Sequence, residues 1–334
     1  MEKIKIKYDD NIYVENCEIT LKYNFYDKER LKNILKNNEH INKIVFHSRF
    51  DELINDLPDR FDSIIFGPDF DNPIDKLPPS LRVLNLGFNF NKSVDNLPKK
   101  LKVLEFDYLF NQPVDNLPSE LKVLKLSMMF DKSVDYLPQG LQILIFGTSF
   151  NQSVDNLPVK LDNLIFGNRF NREVNHLPVY LQELSFGNDF NQKLDSLPKT
   201  LKKLRLGFFF NQSIDNIPDS IEYLEFGDKF NKTINKYPKN LKDLRFGWDF
   251  NQPLINLPDK LKQIIFPPLS KFNQLIEYLP YNLQVLRLGN NFEFMLPDLP
   301  DSIIDLRLNI SYPFYDKMKE LYGDYLSTYE IKED

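Results

Sequence analysis

The chain has only one cysteine, Cys17, and only three histidines, His40, His47 and His176, in 334 residues. A lone thiol cannot form an intramolecular disulfide. The histidines are not grouped, His47 and His176 standing more than six repeats apart, and with a single Cys no zinc site or Cys/His dyad is expected. No glycine-rich phosphate loop and no nucleophile elbow occurs. No apolar run approaches the length that spans a bilayer, and the amino-terminal MEKIKIKYDD lacks the continuous apolar segment of a secretion signal. Nor is there a basic run: 42 Lys and Arg are interspersed with 48 Asp and Glu, for a net charge of −6. That balance leaves no nucleic-acid footprint. Asn91, Asn151, Asn211 and Asn231 stand in glycosylation triplets that a secretory route would expose to modification. The expectation is a cytoplasmic monomer, not an enzyme, without cofactor or bound metal and with neither nucleic acid nor membrane as partner.

What the chain has in abundance is one pattern. The stretch Phe150 to Arg169, FNQSVDNLPVKLDNLIFGNR, recurs at a stride of twenty residues, giving thirteen copies that open at Phe50 and every twentieth residue to Phe250, then at Phe272 and Phe292. A proline stands eight residues after each of these phenylalanines, from Pro58 to Pro300. A period of this length means a solenoid, in which each unit buries its apolar edge against its neighbours. One elongated domain is expected over 50–311, with a cap at each end.

Residues 1–49 read as the first cap. Two alternating runs predict a hairpin or meander, Asp27 is placed to cap a short helix with Leu31, Ile34 and Leu35 on one face, and Ile41, Ile44 and Phe46 supply a first strand. Residues 312–334 read as the second cap: a helix beginning near Pro313, with Met318 and Leu321 on one face and Gly323 at its end, then a frayed polar tail.

Within a copy, Leu161-x-x-Leu164-x-Phe166 predicts a strand with those side chains inward. Gly167 and its equivalents follow, where a sharp turn with positive φ is the simplest reason for glycine. Pro267 takes that position in a copy carrying two extra residues, so a local kink or bulge is expected at Pro267-Pro268. The phenylalanine column predicts rings stacked near the strand spacing of about 4.8 Å. The next position is Asn in nine of the thirteen copies, expected to form a ladder that both donates and accepts. Asp75, Asp95, Asp115, Asp135, Asp155, Asp195 and Asp215 make an acidic column. Its favoured reading is an Asx-turn before Leu-Pro. Stacked carboxylates that bind Ca²⁺ or cleave polysaccharide form the alternative.

The strand motif resembles that of leucine-rich repeats, and the unit Phe-Asn-x-x-Val/Ile-Asp-x-Leu-Pro resembles the FNIP repeat of social amoebae and giant amoebal viruses. The resemblance covers residues 50–311. It implies a curved right-handed coil with a parallel β-sheet on the concave face, and a role in binding other proteins. In two respects the chain departs from the pattern: the usual leucine-rich-repeat Asn slot is variable here (Arg169, Asp189, Phe209), and twenty residues leave room for only a short, extended convex side. Residues 1–49 also lack the Leu-Pro-containing helical pattern of the F-box that some such proteins carry.

In a solenoid the uniform positions build the scaffold and the variable ones dress the sheet. Val83, Val103, Val123 and Ile143 form an apolar ladder at outward strand positions, with Phe88, Tyr108, Leu109, Met128 and Met129 just past the strands. Further along, the outward positions become charged, with Arg205 and Arg245 beside Phe208 and Trp248. An apolar strip next to an Arg and aromatic zone predicts the surface for a protein partner.

Overall fold

The computed structural model describes residues 5–9, 12–21, 28–47, 49–51, 54 and 57–328. Asp27 lies outside them. The chain divides into two compact units, Met1–Gly167 and Asn168–Asp334, a boundary that falls inside a copy of the repeat.

The first unit begins with an antiparallel meander of β1 (Lys5–Asp9), β2 (Ile12–Glu15) and β3 (Glu18–Leu21). Asn16 makes the β2–β3 turn at φ 54°, a left-handed position that asparagine tolerates. Helix α1 (Lys28–Asn37) follows, with Ile34 and Leu35 buried and Leu31 half-buried. Its end is closed from the first repeat, where Arg60 Nη2 donates to Leu35 O at 2.6 Å and Arg60 Nε to Ile41 O at 2.9 Å. From β4 (Lys43–Phe46) onward every pairing is parallel, through β5 (Ser63–Ile65), β6 (Val83–Leu86), β7 (Val103–Phe106), β8 (Val123–Lys125), β9 (Ile143–Ile145) and β10 (Asn163–Ile165).

The second unit continues the pattern with β11 (Glu183–Ser185), β12 (Lys203–Arg205), β13 (Tyr223–Glu225), β14 (Asp243–Arg245), β15 (Gln263–Ile265), β16 (Val285–Arg287) and β17 (Asp305–Leu308), all parallel. Helix α2 (Tyr315–Tyr322) then covers the last turn with Met318. Two expectations for this cap fail. Leu321 is exposed, and residues assigned to a frayed tail form β18 (Leu326–Thr328), parallel to β17. Edge backbone groups of β17 need partners whatever the side-chain polarity, and that need outweighs the polar composition.

Each copy is a short strand and three tight turns. Gly-x-x-Phe closes with Phe90 N donating to Gly87 O at 3.4 Å, and Pro-x-x-Leu with Leu101 N donating to Pro98 O at 3.1 Å. Between them Val-Asp-x-Leu turns again, as where Ile217 N donates to Ile214 O at 3.1 Å. Proline suits the first turn position, where its carbonyl accepts and its missing N–H is not needed. The remaining main-chain groups pair one copy back, as where Lys102 N donates to Arg82 O at 2.8 Å. The structure is a parallel β-solenoid, and its only helices among the described residues are the two in the caps.

The apolar columns are buried as the pattern requires: Leu161 and Leu164 are fully buried, as are the opening phenylalanines from Phe70 to Phe272, while Phe50 is half-buried and Tyr312 takes over the column after Phe292. Equivalent rings lie farther apart than a strand step, at 6.1 Å for Phe70–Phe90 and 6.2 Å for Phe190–Phe210. Rings at the strand ends are closer, 5.4 Å for Phe146–Phe166 and 5.5 Å for Phe226–Phe246. These pairs are related by one repeat step, so within each unit the copies splay with distance from the sheet. A second set of stacks knits strand end to next turn, with Phe106–Phe110 at 3.7 Å and Phe186–Phe190 at 3.6 Å.

The glycines have a different cause from the one expected. None has positive φ. Instead a Cβ on Gly87 would lie 1.9 Å from Gly67 O, and one on Gly227 2.0 Å from Gly207 O, so the column is glycine because adjacent turns touch backbone to backbone. At the irregular copy the turn closes on the extra segment, with Ser270 N donating to Pro267 O at 3.0 Å. Ser270 is buried there and its Oγ accepts from Phe272 N at 3.1 Å, which keeps Phe272 in the column at 6.2 Å from Phe250.

Candidate functional site

The polar columns come first, since they held the alternative chemistry. The Asn column is a chain of acceptors: Asn111 N donates to Asn91 Oδ1 at 2.9 Å and Asn231 N to Asn211 Oδ1 at 3.0 Å, each one copy apart. The following glutamine joins the same oxygen, as where Gln212 Nε2 donates to Asn191 Oδ1 at 3.1 Å. The expected donor half of the ladder is largely absent, which explains why Asp51, Asp71 and Asp131 serve equally well: only an oxygen is needed.

The Asp column does not form the expected Asx-turns either. Ser93 Oγ donates to Asp95 Oδ2 at 2.7 Å while Asp95 N donates back to Ser93 Oγ at 3.2 Å. The other carboxylate oxygen accepts from the next copy, Asn116 Nδ2 at 3.0 Å. Ser93 and then Asn116 hold the Asp95 carboxyl below its ordinary range. Asp135 repeats the arrangement with Ser133 and Asn156, and Asn216 reaches Asp195. At Asp95 and Asp135 both oxygens are thus engaged by neutral donors, and no group of three or more His, Cys, Asp or Glu able to hold a metal ion occurs among the described residues. Nothing in this geometry favours Ca²⁺ or polysaccharide chemistry.

The variable positions are arranged differently. In the first unit the strand register sets Ser63, Val83, Val103, Val123, Ile143 and Asn163 in one outward row, all half-buried. A second outward row, two residues on, contains Val45, Ile65, Ile145 and Ile165. Sequence reasoning overlooked this row, although strand alternation alone would have found it. At the rim Phe88 and Tyr108 stack at 4.4 Å with planes 1° apart, and Leu109, Met128 and Met129 are exposed.

In the second unit the same two rows are charged. Arg205 and Arg245 stand in one row with Glu225 between them, and the neighbouring row carries Lys203, Tyr223 and Asp243. Tyr223, which the sequence reading missed, is the centre of the cluster: its ring lies 4.9 Å from the Arg205 guanidinium carbon and 5.2 Å from that of Arg245. Its hydroxyl donates to Glu225, which also accepts from Arg205 Nε at 3.2 Å. Burial first, and then the Glu225 carboxylate, raise the Tyr223 hydroxyl above its usual value. Arg245 is held by Asp243 in a two-point contact at 3.1 Å. At the rim Lys229 Nζ sits 5.5 Å over the Phe208 ring, and Phe209 and Trp248 are exposed. The ten predicted site residues therefore fall into two patches. Val83, Val103, Val123, Ile143, Tyr108 and Met128 lie in the first unit, Arg205, Phe208, Arg245 and Trp248 in the second.

The FNIP Repeat family profile matches residues 70–108, 88–128, 130–169, 172–209, 210–237 and 235–267, together more than half of the chain. Among solved structures, a circular leucine-rich-repeat protein of a giant virus, CroV588, is similar with 31% identity and a TM-score of 0.80 over 91% of this chain. This chain spans about half of that protein, 51% of its length. YopM from Yersinia enterocolitica matches at 18% identity and a TM-score of 0.30, over 84% of this chain and 94% of YopM, too distant to carry an argument. No curated protein sequence matches the chain significantly.

Proposed function

The chain belongs to the FNIP repeat family, and from that premise we propose that it is a non-enzymatic scaffold that binds protein partners on the outward face of its sheet. Repeat scaffolds of this fold generally suit protein–protein interaction. The observation that carries the reading is the contrast between columns. The regular Asn and Asp columns are uniform, internally bonded scaffold. The outward strand positions instead depart from the repeat, and in the first unit they expose an apolar ladder from Val83 to Ile143 that solubility alone would not favour. Tyr, Trp and Arg at the rims are side chains over-represented among binding hot spots.

The test compares proteins captured from a cell extract by the parent chain, by Val123→Lys, by Arg245→Glu and by a control in which Asp115→Asn and Asp155→Asn alter the ridge. Capture should fall in one or both face variants and persist in the control. Loss in the control alone would place binding on the acidic ridge.

A further inference from the structure

We propose that the outward face of the second unit is a docking track for an extended acidic protein segment that carries a carboxylate at every third residue. This deepens the outward-face reading and rests on it.

The register aligns Arg205, Glu225, Arg245, Ile265, Arg287 and Arg307 in a single row across β12 to β17. Across β12 to β17 that row and its neighbour hold five cations, the four arginines and Lys203, against three carboxylates, Glu225, Asp243 and Asp305, a local positive excess of two in a chain whose net charge is −6. Arg205, Arg245 and Arg287 occupy alternate strands. Their side chains are 47%, 39% and 34% exposed. Each is aligned by a carboxylate: Glu225 for Arg205, Asp243 for Arg245, and Asp305 for Arg287, whose Nε bond is 3.0 Å. A guanidinium has five donors, and these contacts use one or two of them. The arrangement holds the three planes in place, which lowers the ordering cost of a further charge-assisted bond.

Spacing selects the ligand. Alternate strands of a sheet are about 9.6 Å apart, twice the strand step. A polyproline-II segment advances about 9.3 Å in three residues and returns the same face each time. A carboxylate at every third residue therefore meets Arg205, Arg245 and Arg287 in turn, while the intervening residues pass Glu225 and Ile265. A continuous polyanion such as single-stranded RNA fits worse, because its phosphates meet the Glu225 carboxylate. Polyproline-II ligands also dock on aromatic surfaces. Tyr223 lies between the first two arginines, with Trp248 and Phe209 exposed at the rim.

The probe is a fluorescein-labelled peptide of Glu-Pro-Pro triplets, read by fluorescence anisotropy on the full chain. A peptide of the same composition with its glutamates consecutive, and an oligouridylate of similar length, are the competitors. The triplet peptide should bind at least about fivefold tighter than the blocked one, and weaken with salt as exposed charge contacts do. Arg245→Gln with Arg287→Gln, shown folded by circular dichroism, should weaken it about tenfold. Asp115→Asn with Asp155→Asn, on the ridge away from the sheet face, should leave it unchanged. Equal binding of the two peptides, tighter binding of the oligouridylate, indifference to the arginine variants, or no saturable binding up to about millimolar concentration each overturns the proposal. If capture from extract is still lost in Arg245→Glu, such a result removes the acidic occupant and leaves the outward-face reading standing.

Discussion

The two units share a scaffold and differ on one face. On the first, one outward row reads Val83, Val103, Val123, Ile143, and the other is apolar at its two ends, Val45, Ile65 and Ile145, Ile165, around Asn85, Glu105 and Lys125. On the second, the same rows hold Lys203, Tyr223, Asp243 and Arg205, Glu225, Arg245. Behind both, the inward leucines, ring stacks, acceptor ladders and close glycine contacts are the same to within a few tenths of an ångström. A solenoid separates its two tasks by side-chain direction: alternate strand residues build the core while those between them can change from apolar to charged.

The largest expected effect tests the shared half of that comparison. Phe150→Ala and Phe230→Ala remove fully buried rings from equivalent places, one in each unit. Each should cost about 3–5 kcal/mol by urea denaturation. A cost in one unit several-fold below the other would mean that the scaffold is not uniform. Next, Gly87→Ala and Gly227→Ala force a Cβ against a backbone carbonyl of the preceding turn and should each cost about 1–3 kcal/mol. Gly140→Ala, whose nearest neighbours stand at 3.3 Å, should stay within about 0.5 kcal/mol of the parent. If all three glycines tolerate alanine alike, the close approach is not what the column is for.

The outward faces are tested by smaller changes. Val103→Thr with Val123→Thr should shift stability by no more than about 1 kcal/mol, yet reduce the fluorescence of an apolar dye bound to the native protein. Arg205→Gln with Arg245→Gln should leave that dye signal unchanged. The opposite pattern would invert the assignment of apolar and charged faces. The smallest effect is on pH dependence. Asp95 in the first unit and Asp249 in the second are held below the ordinary carboxylate value, by Ser93 and Asn116 in one case and by Lys229 and Lys271 in the other. A carboxyl whose folded pKa is depressed contributes stability above its unfolded value, near 3.9, and loses it as pH falls through the lower folded value. Asp95→Asn should therefore flatten acid unfolding slightly below about pH 4, whereas salt should blunt the Asp249 contribution alone, since its partners are ammonium groups. Equal salt sensitivity of the two would count against the difference in partners.

Much of this was legible in the sequence because period and polarity act locally. The stride of twenty, the inward Leu-x-x-Leu-x-Phe and the phenylalanine spine depend only on where apolar side chains fall. The errors arose where the cause was a neighbour one copy away. Glycine was assigned to a positive φ, whereas the reason is the carbonyl of the previous turn, which no single copy contains. Asp95 was given an Asx-turn, whereas Asn116 of the next copy takes its second oxygen. Leu321 was placed on a buried helix face that the fold leaves exposed, and β18 was read as tail because its polar residues hide a need set by the edge of β17. Of the candidate site, the Val ladder and the arginines were visible as departures from the repeat. Tyr223 was not, since its importance comes from lying between two guanidinium groups contributed by different copies.

The acceptor ladder also sets how such a chain can change length. Each side-chain oxygen serves the backbone amide of the same position in the following copy, so every copy offers its successor the surface it received. The junction has translational symmetry, like a step in a crystal lattice. Excising one whole unit, for instance residues 91–110, joins surfaces that already match, whereas removing one residue fewer shifts the frame and misaligns ring, oxygen and carbonyl together. Duplication or loss of whole units by recombination is thus structurally silent at the junction, and it changes the number of outward positions available for recognition.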